Sequence, residues 1–159
     1  MQDEFPELAL IGVVVDASPG RSPRGVRQRL KGLSDRFRGS HAVTMRQAPI
    51  PWAYRVFYRH VGLDPDADRT PGEAAAVRRL LHGAFRSENV VDDALLIALV
   101  ETGVPIWALD AGRVSDVAPG HGVTRDTRRM ALLTVQVAGV PSIHVEEALH
   151  TCVDVLRSG

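Results

Sequence analysis

Cysteine, lysine and aromatic side chains are scarce in this chain of 159 residues. It has a single cysteine (Cys152), a single lysine (Lys31) against 18 arginines, and only 5% aromatic residues. One thiol excludes an internal disulfide and any multi-thiolate zinc centre. With Leu149, Val153 and Leu156 around it, Cys152 reads as a buried structural thiol and not as a nucleophile. No apolar run approaches the ~18 residues needed to cross a bilayer. The phosphate loop, G-x-G-x-x-G, H-E-x-x-H, C-x-x-C and G-x-S-x-G signatures are all missing. Of the six histidines (41, 60, 82, 121, 144 and 150), only His144 and His150 are close enough to suggest ligand spacing. Six residues apart, they fall on different faces of a helix. No metal, no cofactor and no membrane contact are therefore expected. The run Leu8 to Val15 follows Asp3, Glu4 and Glu7, whereas a secretory signal begins with positive charge, so a cytoplasmic location is the expectation.

Hydrophobic residues at 45% and charged residues at 24% are ordinary for a soluble domain. A chain of this size buries roughly 68–70% of its unfolded surface, enough for one core over residues 1–159. Low hydrophobicity with high net charge, the mark of disorder, is not found. The formal net charge is zero, but it is unevenly spread. Residues 1–19 carry four acids and no base, and residues 20–62 carry ten bases and one acid, Asp35. Residues 63–120 carry ten acids and five arginines. The basic stretch suits an RNA-facing surface, with Arg24, Arg27, Lys31, Arg38, Arg55 and Arg59 as candidate phosphate contacts. Equally, it suits a solvated helix face whose arginines pair with the acidic half.

Periodicity assigns the elements. Residues 8–16 (LALIGVVVD) form a β-branched run suited to a buried strand. Val26, Leu30, Leu33 and Phe37 recur at helical spacing over 24–37. Pro49 and Pro51 bracket a loop, Pro51 suits a first helical turn, and the helix after it, Trp52 to Val61, stops at Gly62. Thr70, Pro71 and Glu73 form a capping-box start for a helix ending near Gly83. A further helix spans 90–102, strands are expected at 105–110 and 130–137, and a closing helix at 145–156. The expected fold is α/β (α+β): a single domain with a mixed sheet of few strands and about five helices. No internal repeat or low-complexity segment interrupts it.

Two places remain for chemistry. Asp92 and Asp93 open a helix, where the dipole alone favours carboxylates. Asp110 ends the strand PIWALD just before Gly112. The segment Gly120-His121-Gly122-Val123-Thr124-Arg125-Asp126-Thr127 is either an anion-binding loop with open N–H groups or a plain turn into the next strand, and residue types favour the turn.

Several short motifs then fall into one order. They are Tyr54-Arg55 with Tyr58-Arg59-His60-Val61-Gly62-Leu63-Asp64-Pro65; Arg69, Glu73 and Arg78-Arg79; Asn89-Val90-Val91-Asp92; Val104-Pro105-Ile106-Trp107-Ala108-Leu109-Asp110; and Val123-Thr124-Arg125-Asp126-Thr127. Over 54–135 this set resembles the B3/4 domain, the editing module of the phenylalanyl-tRNA synthetase beta subunit, also found in free-standing proteins. That resemblance implies a B3/4-like fold and a ligand site including Trp107, Asp110, Thr124 and Thr127, to which the glycine-rich segment, read as a binding loop, adds Gly120 and Gly122. It implies tRNA, aminoacyl-tRNA or an amino-acid-like molecule as ligand, and it leaves room for a protein partner. The departures bear on activity. Trp107 stands where the family's motif has histidine, and Leu95 where it has asparagine. Only thirteen residues separate Asp110 from Thr124, where the family carries the strands that hold its pocket glutamate. The favoured expectation is a binding or accessory module that has lost the editing chemistry. The alternatives are a free-standing aminoacyl-tRNA deacylase, with His121, Asp110 and Asp126 as candidate catalytic groups, and a dimeric accessory protein of a biosynthetic pathway.

Overall fold

The β-branched run near the N-terminus does become a strand, and it meets the later strands in one small sheet. The computed structural model describes residues 9–37, 48–113 and 122–158. In chain order its elements are β1 (Ala9–Asp16), α1 (Arg24–Arg36), α2 (Pro49–His60), α3 (Pro71–His82), α4 (Val90–Thr102), β2 (Trp107–Asp110), a 3-10 turn (Ala111–Arg113), β3 (Arg129–Gln136) and α5 (Ser142–Ser158). Among the described residues this is an α+β domain of five helices and three strands, as the periodicity leads one to expect. The sheet order is β1-β3-β2, and both pairings are antiparallel. A mixed sheet was the expectation. The difference arises because β3 inserts between β1 and β2, so the two strands that run parallel to each other never become neighbours.

Alternation along β3 decides which face of the sheet is covered. Met130, Leu132 and Thr134 are fully buried toward the helices. Thr134 is tolerated there because its hydroxyl donates to the Pro105 carbonyl at 2.7 Å. The register places Leu10 beside Val135, Val14 beside Ala131 and Leu109, and Trp107 beside Leu133 on the opposite face.

Helix α4 lies at the centre of the layer above the sheet. Val90, Val91, Ala94, Ile97, Ala98 and Leu99 are all buried. Helices α1, α3 and α5 pack on α4, and so does β2. Both of its ends are closed by neighbouring residues. The Asn89 side chain accepts from the Asp92 N–H at 2.9 Å, and Gly103 closes the helix in the left-handed conformation at φ 80°. Thr70 likewise caps α3, with its hydroxyl 3.4 Å from the Glu73 N–H. Helix α2 begins a turn earlier than expected: Pro49 and Pro51 lie inside its first turn and do not bracket a loop. First-turn N–H groups have no helical partner, so two prolines cost nothing in hydrogen bonding there. Among the described residues, no helix is long and apolar enough to cross a membrane.

Two buried groups link this core to pH. The Tyr54 hydroxyl donates to the Val135 carbonyl at 2.8 Å, and burial pushes the phenol up to about 12. Burial likewise pushes the Cys152 thiol up to about 12. Both raised values belong to acids whose neutral form the fold prefers. Their stabilisation is therefore complete below the unfolded values of 9.0 and 10.0 and is lost as pH rises toward 12. Urea midpoints should fall between pH 8 and pH 10.5, and less so in a Cys152→Ala, Tyr54→Phe double variant. At neutral pH Tyr54→Phe should cost about 1 kcal/mol. A thiol reagent should leave the native protein unlabelled and react once urea unfolds it.

Candidate functional site

Most residues that carry the ordered motifs are occupied in holding the chain together. Arg55 is 4% exposed, and it bonds Glu73 at 2.5 Å and Asp66 at 2.6 Å. It thereby ties α2 to the start of α3 and to the Asp64–Asp68 turn. The hydrogen bond to Asp66, with the Glu73 pair, raises its guanidinium further above its already high value. A residue so placed is unavailable to phosphate, which sets Arg55 apart from the other basic candidates.

Asp93, not Asp92, is the buried carboxylate at the head of α4. It accepts from the Ser22 hydroxyl, from the Ser87 hydroxyl at 2.5 Å and from the Glu88 N–H at 3.0 Å. Nothing in the local sequence announces this, because Ser22 lies 71 residues away. A second serine acts in the same way: Ser34 accepts from the Phe85 N–H at 2.8 Å, while its own carbonyl takes two bonds from Arg79. Together these contacts fasten the segment Ala84–Glu88 across the ends of α1 and α4.

At the other end of the motif set, Asp110 and Thr127 form a clamp. The Thr127 hydroxyl, 1% exposed, donates to one Asp110 oxygen at 2.9 Å, while the Gly112 N–H donates to the other at 2.9 Å. Thr127 also accepts from the Thr124 N–H at 2.9 Å. Gly122 makes an isolated bridge to Leu109. Asp126 is exposed and offers its main-chain N–H to Thr124. Across 122–128 the turn is thus the form the chain takes, and it closes the β2–β3 connection. Gly120 and His121 lie outside the described residues, as does Arg38.

The open space lies elsewhere. A cleft of about 490 Å³ runs between α3 and α4, walled by the Ala84–Glu88 segment and by the start of β2. Leu95, Leu96, Leu99 and Ile106 give it an apolar floor. Arg78, His82 and Arg86 stand on its rim with Glu88 and Asp92, so both charge signs face one apolar basin. Arg78 and Arg86 make no ion pair among the described residues. Trp107 lines this cleft, and Asp110, Thr124 and Thr127 do not. A second groove of about 490 Å³, between the start of α2 and the end of α4, is mostly apolar and lined by Ile50, Val100 and Pro141.

Of the basic candidates, Arg24, Arg27 and Lys31 are exposed and follow one another at helical spacing along a single stripe of α1. Arg59 is exposed on α2, its guanidinium 5.7 Å from the Trp52 ring centre. Among the described residues, no group of three or more His, Cys, Asp or Glu is arranged to hold a metal ion.

No family model, curated protein or solved structure matches this chain.

Because Asp110 and Thr127 satisfy one another, removing either should destabilise the fold. Thr127→Val leaves a carboxylate oxygen short of a donor and should cost about 1–3 kcal/mol in urea unfolding. The Asp110→Asn, Thr127→Val double variant should lose less than the sum of the two single losses, which a double-mutant cycle measures.

Proposed function

We propose that the protein is a binding module of the B3/4 kind, which holds an amino-acid-like ligand in the α3–α4 cleft without hydrolysing it. The observation that carries this reading is the meeting of two departures. Leu95 and Trp107, the positions where an asparagine and a histidine are replaced by apolar side chains, line the same cleft. An apolar floor with cations and carboxylates on one rim complements a zwitterion with an apolar side chain. The guanidinium groups of Arg78 and Arg86 suit a carboxylate, and Glu88 and Asp92 suit an ammonium. The floor itself carries no acid or base, and the titratable His82, Glu88 and Asp92 stand on the rim. Asp110, the nearest acid in the motif order, has both oxygens engaged. The stripe Arg24, Arg27 and Lys31 supplies a phosphate-facing surface for tRNA as the larger ligand.

Titration calorimetry with free aromatic and branched aliphatic amino acids should give saturable binding. Arg86→Ala should weaken it by roughly tenfold or more, in line with the removal of one charge-assisted hydrogen bond. With tyrosyl-tRNA and phenylalanyl-tRNA the protein should bind and leave the ester intact. Turnover that disappears in His121→Ala and Asp126→Ala variants would overturn the binding reading in favour of a deacylase. For tRNA, the triple alanine variant of Arg24, Arg27 and Lys31 should bind more weakly and show a shallower dependence on salt, by about one unit of slope for each phosphate-neutralising side chain removed.

A further inference from the structure

We infer that β1 is an interface, and that its occupant is β1 of a second copy of this chain, paired antiparallel about a two-fold axis at Gly12. Among the described residues β1 pairs only with β3, so one whole side of an eight-residue strand is open. Edge strands are ordinarily protected by lysine, proline, a bulge or an inward charge. From Ala9 to Val15 this strand has none of these, and its register against β3 runs without a break. Its apolar side chains are exposed on both faces, Leu10 at 71% and Val14 at 49% on one and Val13 at 38% on the other.

The direction of the free main-chain groups follows from the ladder. The Ala17 N–H donates to the Arg128 carbonyl at 3.0 Å, one step beyond the Asp16–Arg129 pair. Antiparallel positions alternate between pairs that exchange hydrogen bonds and pairs that do not. Ala9, Ile11, Val13 and Val15 therefore turn their N–H and C=O groups to β3. Those of Leu10, Gly12, Val14 and Asp16 point to the open edge.

A two-fold axis at Gly12 sets Gly12 against its own copy and Leu10 against Val14 of the other chain, in both directions. All of these are edge-facing positions, so each pair exchanges two main-chain hydrogen bonds. The same register sets Ile11 against Val13, and Asp16 stays outside it. Moving the axis to Val13 would instead press Leu10 against Asp16. The preferred register is thus self-complementary in hydrogen bonding, in apolar contact and in the exclusion of charge, as a closed two-fold interface requires.

Its size decides its strength. A strand of this length spans about 26 Å, and a sheet is about 10 Å thick, so the paired strip is small beside the roughly 1,200–2,000 Å² of a stable interface. The dimer is accordingly one that dissociates on dilution.

Paired Cα atoms about 5.5 Å apart lie within disulfide range. In a Leu10→Cys, Val14→Cys variant the two thiols of one chain are about 13 Å apart along the strand, too far to bridge. Mild oxidation of that variant should give a covalent dimer, whereas Leu10→Cys alone and Val14→Cys alone should stay monomeric. Cys152, fully buried, does not interfere. In the unsubstituted protein, sedimentation velocity should show a mass rising toward twice that of the chain with concentration. Hydrogen exchange at the Leu10, Gly12 and Val14 amides should slow in step, and Leu10→Lys should abolish both effects. A monomer at every concentration overturns the proposal. So does a dimer whose β1 amides exchange unchanged, or one that cross-links through a single cysteine, since packing of the open sheet faces would behave in that way.

Discussion

A helix that is apolar over most of its circumference has to be covered, and α4 is such a helix. Val90, Ala94, Ile97 and Ala98 are buried with Val91 and Leu99, while Leu95 and Leu96 are half-buried toward the cleft and Asp92 and Glu101 face solvent. The remaining elements are arranged to cover it: α1, α3 and α5 pack on it, and β2 reaches it from the sheet. Its polar ends also need partners. Asn89 caps the N-terminus, and Asp93, buried one turn later, collects donors from Ser22, Ser87 and Glu88. Through Asp93, the need to cover one helix extends to the placement of the turn before α1 and of the cleft wall.

The division of labour between polar residues follows from this. Arg55, Asp93, Asp110 and Thr127 look like chemistry in a linear reading, since charge and hydroxyls cluster around glycine and proline. In the fold each is held by partners from another segment, and each locks two segments together. A paired carboxylate or guanidinium is expensive to unpair, and this keeps it out of ligand chemistry. Arg78 and Arg86 on the cleft rim, and Arg24, Arg27 and Lys31 along α1, are exposed instead.

Much of the architecture is legible in the sequence because its signals are local. The Thr70–Glu73 cap, the terminal Gly62 and Gly83 and the β-branched run of β1 each lie within a few residues of what they control. The start of α2 is legible only in part: Pro51 suits a first helical turn, whereas Pro49 reads as the edge of a loop, although the first turn has no hydrogen bonds for it to break. The paired clusters are hidden too. Glu73 reaches Arg55 across 18 residues, and Ser22 reaches Asp93 across 71. The cleft is hidden for the same reason. Arg78 and His82 from one helix, Arg86 from a connecting segment and Trp107 from a strand share no sequence signal until the helices pack.

By itself, the sequence determined the order and type of the elements, the Thr70 cap and glycine stops of the helices, and the burial of Cys152. Those depend on hydrophobic period and on neighbours a turn away. Only the tertiary structure decided that the sheet is antiparallel, that Arg55 and Asp110 are fasteners, and that Leu95 and Trp107 share a cleft. Among the described residues it also left one edge of β1 without a strand partner. Each of these depends on which segments meet after the chain closes loops tens of residues long. Hydrophobic burial favours the collapse that brings them together, but a linear pattern of apolar and polar residues does not specify the pairs.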